Sequence, residues 1–309
     1  MADTTAAAPR VPLRGKIVDD PRRLGWLLLA PTLVYIFGLV GMPFFLSLLY
    51  SVTSVTVARV DFTFRGLDHY ISALERPAFW TALQNTLAFG IVSQVIVIVM
   101  ANVLALALLK DFKGKWVVRF LILLPWVAPI SLGTIGWLWI LDSIYSVINW
   151  TLEALGLIRP ENWPMWLGIP YLAMGSVIAV HVWRLLPLAT VILLAGLTSI
   201  PQDIHDAAAM DGAGFWRHLF QITMPLVHPI MLVAMLFGLV FAFTDMIVIF
   251  VLTRGGPYDT TQVLASLAFF TGIQGGDLAE GAAIALFLFP LLVVAAIVFL
   301  RVARSTEVT

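Results

Sequence analysis

The 309 residues are 61% apolar and only 12% charged, with a mean hydropathy of +0.97, whereas ordinary globular domains carry about 45–50% apolar and about 25% charged residues. A soluble enzyme, a nucleic-acid binder or a disordered scaffold needs more charge to coat its surface, so the composition describes an integral membrane protein. The balance of 18 basic against 18 acidic residues speaks for no polyanionic partner, nucleic acid included, and the absence of cysteine removes disulfides, thiolate metal sites and cysteine nucleophiles.

In chain order, residues 1–24 read as a polar, basic tail, Ala-, Thr- and Pro-rich and disordered through about Asp20. It is not a cleaved signal peptide, because the apolar run behind it is too long and further runs follow. A bilayer-crossing helix needs about 20 mainly apolar residues. Six runs meet that length within residues 25–304: 25–50, 83–109, 117–141, 171–194, 229–252 and 278–302. Each is predicted helical, because lipid offers no partner to a free backbone N–H or C=O. Residues 305–309 form a short C-terminal tail. No soluble domain, low-complexity tract or internal repeat stands out. The Trp163 and Trp166 stretch reads as an interfacial belt.

The linkers set the orientation. Twelve of the 18 basic residues fall on the side shared by both termini and the loops after the second and fourth runs, among them Arg22, Arg23, Lys113, Lys115 and Arg217. Five fall on the other side, and Arg184 lies inside a run. The positive-inside rule then puts both termini in the cytoplasm.

The cytoplasmic loop 199–228 carries helix signals. Ser199 is placed to cap, and Pro201 sits where a missing N–H costs nothing. Asp203 and Asp206 suit the first turns, and Ala207, Ala208 and Ala209 are strong helix formers. Gly212 and Gly214 break the run. A second short helix with Phe215, Trp216, Leu219 and Phe220 is expected to end before Pro225. The result is a helix–glycine–helix whose alanines form a flat surface beside aromatic groups, a docking site or an amphipathic hairpin lying in the headgroups.

These residues carry a resemblance. Asp206-Ala-Ala-Ala-Met-Asp-Gly-Ala-Gly-Phe-Trp216, followed by Ile222-Thr-Met-Pro225 and Pro229, resembles the "EAA" loop of binding-protein-dependent ABC importer permeases, with Asp206 where Glu is usual. Leu124-Pro125-Trp126, Ile148-Asn149, Trp183-Arg184 with Pro187, Ala195-Gly-Leu-Thr-Ser-Ile-Pro201, Leu252-Thr-Arg-Gly-Gly-Pro257 and Glu280-Gly-Ala-Ala-Ile-Ala285 extend it over most of the chain, as do Arg65-Gly-Leu-Asp-His-Tyr70 and Asn85-Thr86. They are similar to the carbohydrate-importing, maltose-permease type, in the subunit class with Gly-Gly-Pro after the fifth span.

The resemblance implies an all-α, six-span type I importer permease in a bacterial cytoplasmic (inner) membrane. The loop would be its coupling helix, with Asp206, Ala207, Ala208, Asp211, Gly212, Ala213, Phe215 and Trp216 facing a cytoplasmic ATPase. It implies two ATPase copies, a second, non-identical permease subunit, an extracytoplasmic substrate-binding protein and a carbohydrate or polyol as cargo. ATP and Mg would bind the ATPases. This chain would hold no cofactor or metal and catalyse nothing, in keeping with its lack of a G-x-x-x-x-G-K-[ST] phosphate loop.

Ionisable groups inside a span are costly and hence candidate functional groups. His181 and Arg184 share one face of the fourth span, Asp245 lies in the fifth, and Asp142, near the end of the third, reads as solvated. The resemblance places substrate contacts on Trp126, Ile130, His181, Arg184, Leu185, Gly238, Ala242 and Asp245. Trp126 would stack on a sugar ring or simply pack. Arg184 and Asp245 would neutralise each other, or Arg184 would face an anionic solute such as a glycerol phosphate. A secondary transporter would show repeated, interrupted halves, and a membrane enzyme would show a nucleophile–base pair or metal cluster. The sequence displays neither, and its five histidines are scattered.

Overall fold

The computed structural model describes residues 20–307. Residues 1–19 and 308–309, and with them Arg10, Arg14, Lys16, most of the predicted N-terminal tail and the last two residues of the C-terminal one, lie outside the described residues. No strand forms among the described residues, and a single bridge joins Thr53 to Phe64. The described residues divide into two units at residues 49 and 50. The first is helix α1 (Arg22–Ser51) up to its last turn. Asp20 caps it by accepting from the Arg22 N–H at 3.1 Å. A π turn, Ile36–Gly41, lies within it.

In the second unit, α2 (Asp68–Glu75) precedes the long apolar helix α3 (Pro77–Leu109). Pro77 sits in the first turn of α3, where its missing N–H costs nothing, so the helix begins six residues before the predicted run. The predicted third span is two helices, α4 (Lys115–Val127) and α5 (Ile130–Ile140), bent by 97°. Its composition is that of one span, but Ala128 precedes Pro129 and is held extended at ψ 141°. The proline thus breaks the rod that hydropathy alone draws straight.

After the short α6 (Val147–Ala154), α7 (Pro170–Thr198) matches the fourth run. The loop helix α8 (Gln202–Met210) leads to α9 (Phe215–Phe243). The expected stop before Pro225 does not occur. A π turn at Leu219–Thr223 shifts the bonding register, with the Met224 N–H reaching the Leu219 carbonyl. Pro225 then falls in the first turn of the segment that follows, where it needs no donor. Residues 215–228, expected as loop, therefore belong to the fifth span's helix. That helix ends at Phe243, and α10 (Ile247–Leu252) follows a break at residues 244–246.

The helix α11 (Leu264–Phe269), continued by a π turn to Gln274, escaped the sequence because its 11 residues cannot cross a bilayer. It packs on α12 (Leu278–Leu286), which with α13 (Leu288–Glu307) forms the last span, Leu278–Ala303. The segment before α2 is tied to this end: the Ala279 N–H donates to Val55 at 3.0 Å and the Val57 N–H to Gly276 at 2.8 Å.

Helix α3 is the axis of the unit, touching all three buried clusters. Phe79 and Ala82 pack with Leu239, Phe243, Leu264 and Ile284. Phe89 packs with Val177, Val180, Ala242 and Ile249. Val97, Ala101 and Ala105 pack with Val182, Leu185, Leu193 and Val227. Alanines at four-residue spacing on α3 let α7 approach closely, which is how helices associate where lipid is as apolar as the core.

Candidate functional site

The three ionisable groups of the fourth and fifth runs meet. His181 is fully buried on α7, and its Nδ1–H donates to Asp245 Oδ2 at 2.7 Å. Arg184 Nη2 stands 3.4 Å from the same oxygen. The other carboxylate oxygen accepts from the Val248 N–H at 3.1 Å. Asp245 thus occupies the break between α9 and α10 and caps the shorter helix. The break supplies free backbone N–H groups at bilayer depth, tolerable where the backbone is buried in protein. Phe89 of α3 closes the cluster, its ring edge-on to His181 with centroids 4.8 Å apart. The Nε2 of His181 and the Nε of Arg184 are buried with no protein partner. The charges of Arg184 and Asp245 offset each other, and two nitrogens remain uncommitted.

The other predicted pathway residues stand differently. Leu185 and Ala242 are core residues, 1% and 0% exposed. Gly238 is covered by the side chain of Gln94. Trp126 sets its ring against Phe241, centroids 5.5 Å apart and nearly perpendicular, so that in this conformation it takes part in helix packing. Ile130 lies at the edge of the Phe89 cluster. In this conformation the structure joins His181, Arg184 and Asp245 and leaves the remaining five in helix packing. Asp142 lies beyond α5, where it accepts from the Tyr145 and Ile144 N–H groups at 2.8 and 2.7 Å. Those bonds, that from Tyr145 foremost, hold its carboxyl below the ordinary carboxylate range. Trp166 donates its indole N–H to Asn149 at 2.8 Å.

The loop between α7 and α9 is a built hairpin. Helix α8 ends in a Schellman closure. The Ala213 N–H reaches the Ala208 carbonyl at 3.0 Å and the Gly212 N–H reaches Ala209 at 3.1 Å. The closure puts Gly212 in the left-handed region at φ 69°. Ser199 does not cap α8; its hydroxyl donates back to Gly196 at 2.7 Å, and Pro201 stands at the N-cap. Ala208, expected on the flat outer surface, is buried, while Asp206, Ala207 and Asp211 are exposed and Ala213 is half-buried. Phe215 and Trp216 are exposed, and the Trp216 ring stacks on Phe220 at 5.8 Å. His205 Nδ1 and His218 Nε2 lie 3.0 Å apart and clip the hairpin's arms together.

Sequence reasoning missed three features. Arg76 and Glu280 form a two-pronged ion pair, each prong 2.8 Å, that ties the start of α3 to α12. Asn85 donates to the Asp259 and Gln262 carbonyls at 3.2 and 2.9 Å and so holds the Gly-Gly-Pro loop. Gln94 is buried at mid-helix on α3. The rarity of charge in the spans marks Arg184 and Asp245, but an amide adds nothing to a charge count.

The model of the binding-protein-dependent transport system inner membrane component family matches residues 97–307. The trehalose/maltose transport system permease protein of Thermococcus litoralis is 33% identical over 296 residues, covering 94% of this chain and 97% of that one. The trehalose transport system permease protein of Mycobacterium tuberculosis is 31% identical, over 91% of this chain and 88% of its own. Among solved structures, a bacterial ABC transporter involved in the import of the acidic polysaccharide alginate matches with a TM-score of 0.79. It is 22% identical over 94% of this chain and 99% of that chain, a likeness of fold.

Proposed function

The chain belongs to the binding-protein-dependent transport system inner membrane components, and on that premise we propose that it passes a carbohydrate, a sugar, oligosaccharide or polyol, through the bacterial inner membrane. It is a multi-pass permease subunit of an ABC transporter, not an enzyme. Both termini face the cytoplasm, as the placement of basic residues supports. A second, non-identical permease subunit completes the pathway. Two ATPase copies carry ATP and Mg and dock on the α8 hairpin through Asp206, Ala207, Asp211, Gly212, Ala213, Phe215 and Trp216. An extracytoplasmic binding protein delivers the solute.

The observation that carries the substrate class is the near-full-length similarity to two permeases of trehalose systems. The site supports it. The charge of Arg184 is already answered by Asp245, so a phosphate-bearing solute finds no free cation there. The uncommitted His181 and Arg184 nitrogens suit hydroxyl groups instead.

The test is uptake of radiolabelled trehalose and maltose by proteoliposomes holding the permease with its ATPase and binding protein. ATP-dependent accumulation of either sugar is expected. Accumulation of glycerol 3-phosphate in place of both sugars overturns the substrate class, and uptake that ignores ATP overturns the coupling.

A further inference from the structure

Gln94 lies near the middle of the 33-residue helix α3 and is 3% exposed. Its Oε1 has no protein partner, and its Nε2 reaches the Ala234 carbonyl only at 3.5 Å, the outer limit of a hydrogen bond. A buried carboxamide so poorly paired costs on the order of 1–3 kcal/mol, and an apolar side chain of similar volume would fill the space without that cost. The amide is therefore not explained by packing in this conformation.

Its surroundings say what it covers. The carboxamide lies on the backbone of Gly238, in the space a Cβ would take. A void of about 10 Å³, at the lower limit for one water, adjoins it between Val97, Leu185, Leu188, Ala234 and Gly238. Leu185 is one turn along α7 from His181, and Gln94 is five residues along α3 from Phe89, which contacts His181. The amide thus sits about one and a half helical turns along α3 from the ring that closes the His181, Arg184 and Asp245 cluster.

We propose that the Gln94 carboxamide is a polar group of the translocation path, filling the solute's place over Gly238 in this conformation and hydrogen-bonding the hydroxyls of the solute once α3 and α9 part. The assignment rests on the carbohydrate reading above. An amide offers two donors and an acceptor without charge, the set that a neutral hydroxylated solute matches. Gly238 is needed because any side chain there would displace the amide.

The chain has no cysteine, so Gln94→Cys places a single thiol in it. In the assembled transporter, its reaction with a water-soluble methanethiosulfonate reagent is to be compared at rest and after trapping with ATP and vanadate. Trapping is expected to raise the labelling rate about tenfold, as when a minor open state becomes the major one. Tyr258→Cys, on an exposed loop, is the control that the reagent works. Equal rates at position 94 in both states overturn the proposal.

A second arm measures trehalose and maltose uptake by Gln94→Leu and Gln94→Asn. Leucine is expected to raise KM about fivefold to tenfold, the loss of one hydrogen bond, and to lower maximal rate less. Asparagine is expected to recover part of the change. Reduced abundance with KM unmoved means that Gln94 only glues α3 to α9 and overturns the proposal. If the unaltered transporter accumulates glycerol 3-phosphate in place of both sugars, the substrate class fails, and the labelling arm still decides on Gln94.

Discussion

Asp245 serves three donors at once: His181, Arg184 and the Val248 N–H. Removing it strands an imidazole and a guanidinium in the core, a loss of about 3–5 kcal/mol for a broken buried pair. Asp245→Ala is therefore expected to lower the melting temperature and the membrane abundance of the subunit, read by fluorescence-detected gel filtration. Adding Arg184→Ala should restore part of both, because it removes the orphaned charge. Failure of the double variant to recover would show that Asp245 acts through the α10 cap alone. Gly212 makes a separate case, since at φ 69° a β-branched residue is strained while asparagine is tolerated. Gly212→Val is expected to abolish ATPase association and uptake in a chain that still inserts, and Gly212→Asn to keep both, as judged by co-purification and transport. The charged trio was legible in the sequence because ionisable groups are so rare in its apolar runs. The pairing of Arg184 with Asp245 was among the expected alternatives and is present at 3.4 Å, whereas the donation from His181 to the same carboxylate was not foreseen, the two residues being 64 positions apart. Nothing in spacing announces that a helix breaks at Thr244 to bring them together.

Hydropathy found every long helix but drew the third and fifth runs as single straight rods, where the structure breaks them at residues 128–129 and 244–246. Alternation and length report what a segment is made of, whereas direction depends on single residues such as Pro129. Releasing that constraint with Pro129→Ala should let α4 run on toward α5. Spin labels at Trp116 and Trp139, both exposed, would stand about 35 Å apart on one straight helix. The 97° bend brings them to roughly two thirds of that distance. Pulsed electron paramagnetic resonance should show the longer distance gaining population in the variant; an unchanged distribution would mean that tertiary packing, not the proline, sets the bend. The opposite error occurred at Pro225, where a helix stop was expected and a π turn carried the rod through. Proline is legible as a constraint on its own backbone, but whether a neighbouring turn re-registers around it is decided by packing. The 11-residue α11 was hidden for a third reason: it is sheltered by protein and owes nothing to bilayer thickness.

At the scale of the whole chain, scarce charge sorts by place. Basic residues gather in the linkers on one side, acidic ones begin the α8 hairpin, and the interior keeps a compensated set. The orientation this implies is open to a direct test. In intact cells, a membrane-impermeant maleimide should label Tyr258→Cys and spare Phe215→Cys, and inverted vesicles should reverse the result. Labelling of both from one side would overturn the topology. One further consequence follows from the unbroken run of α9 from Phe215 to Phe243. At 1.5 Å per residue the rod is about 43 Å long. Pivoted at its hairpin end, a tilt of only 5° would carry the far end about 4 Å. That travel exceeds the 3.4 Å separating Arg184 from Asp245. On the coupling proposed above, the rod would act as a lever arm, its small tilt at the hairpin carried to the break at residues 244–246 where Asp245 meets Arg184.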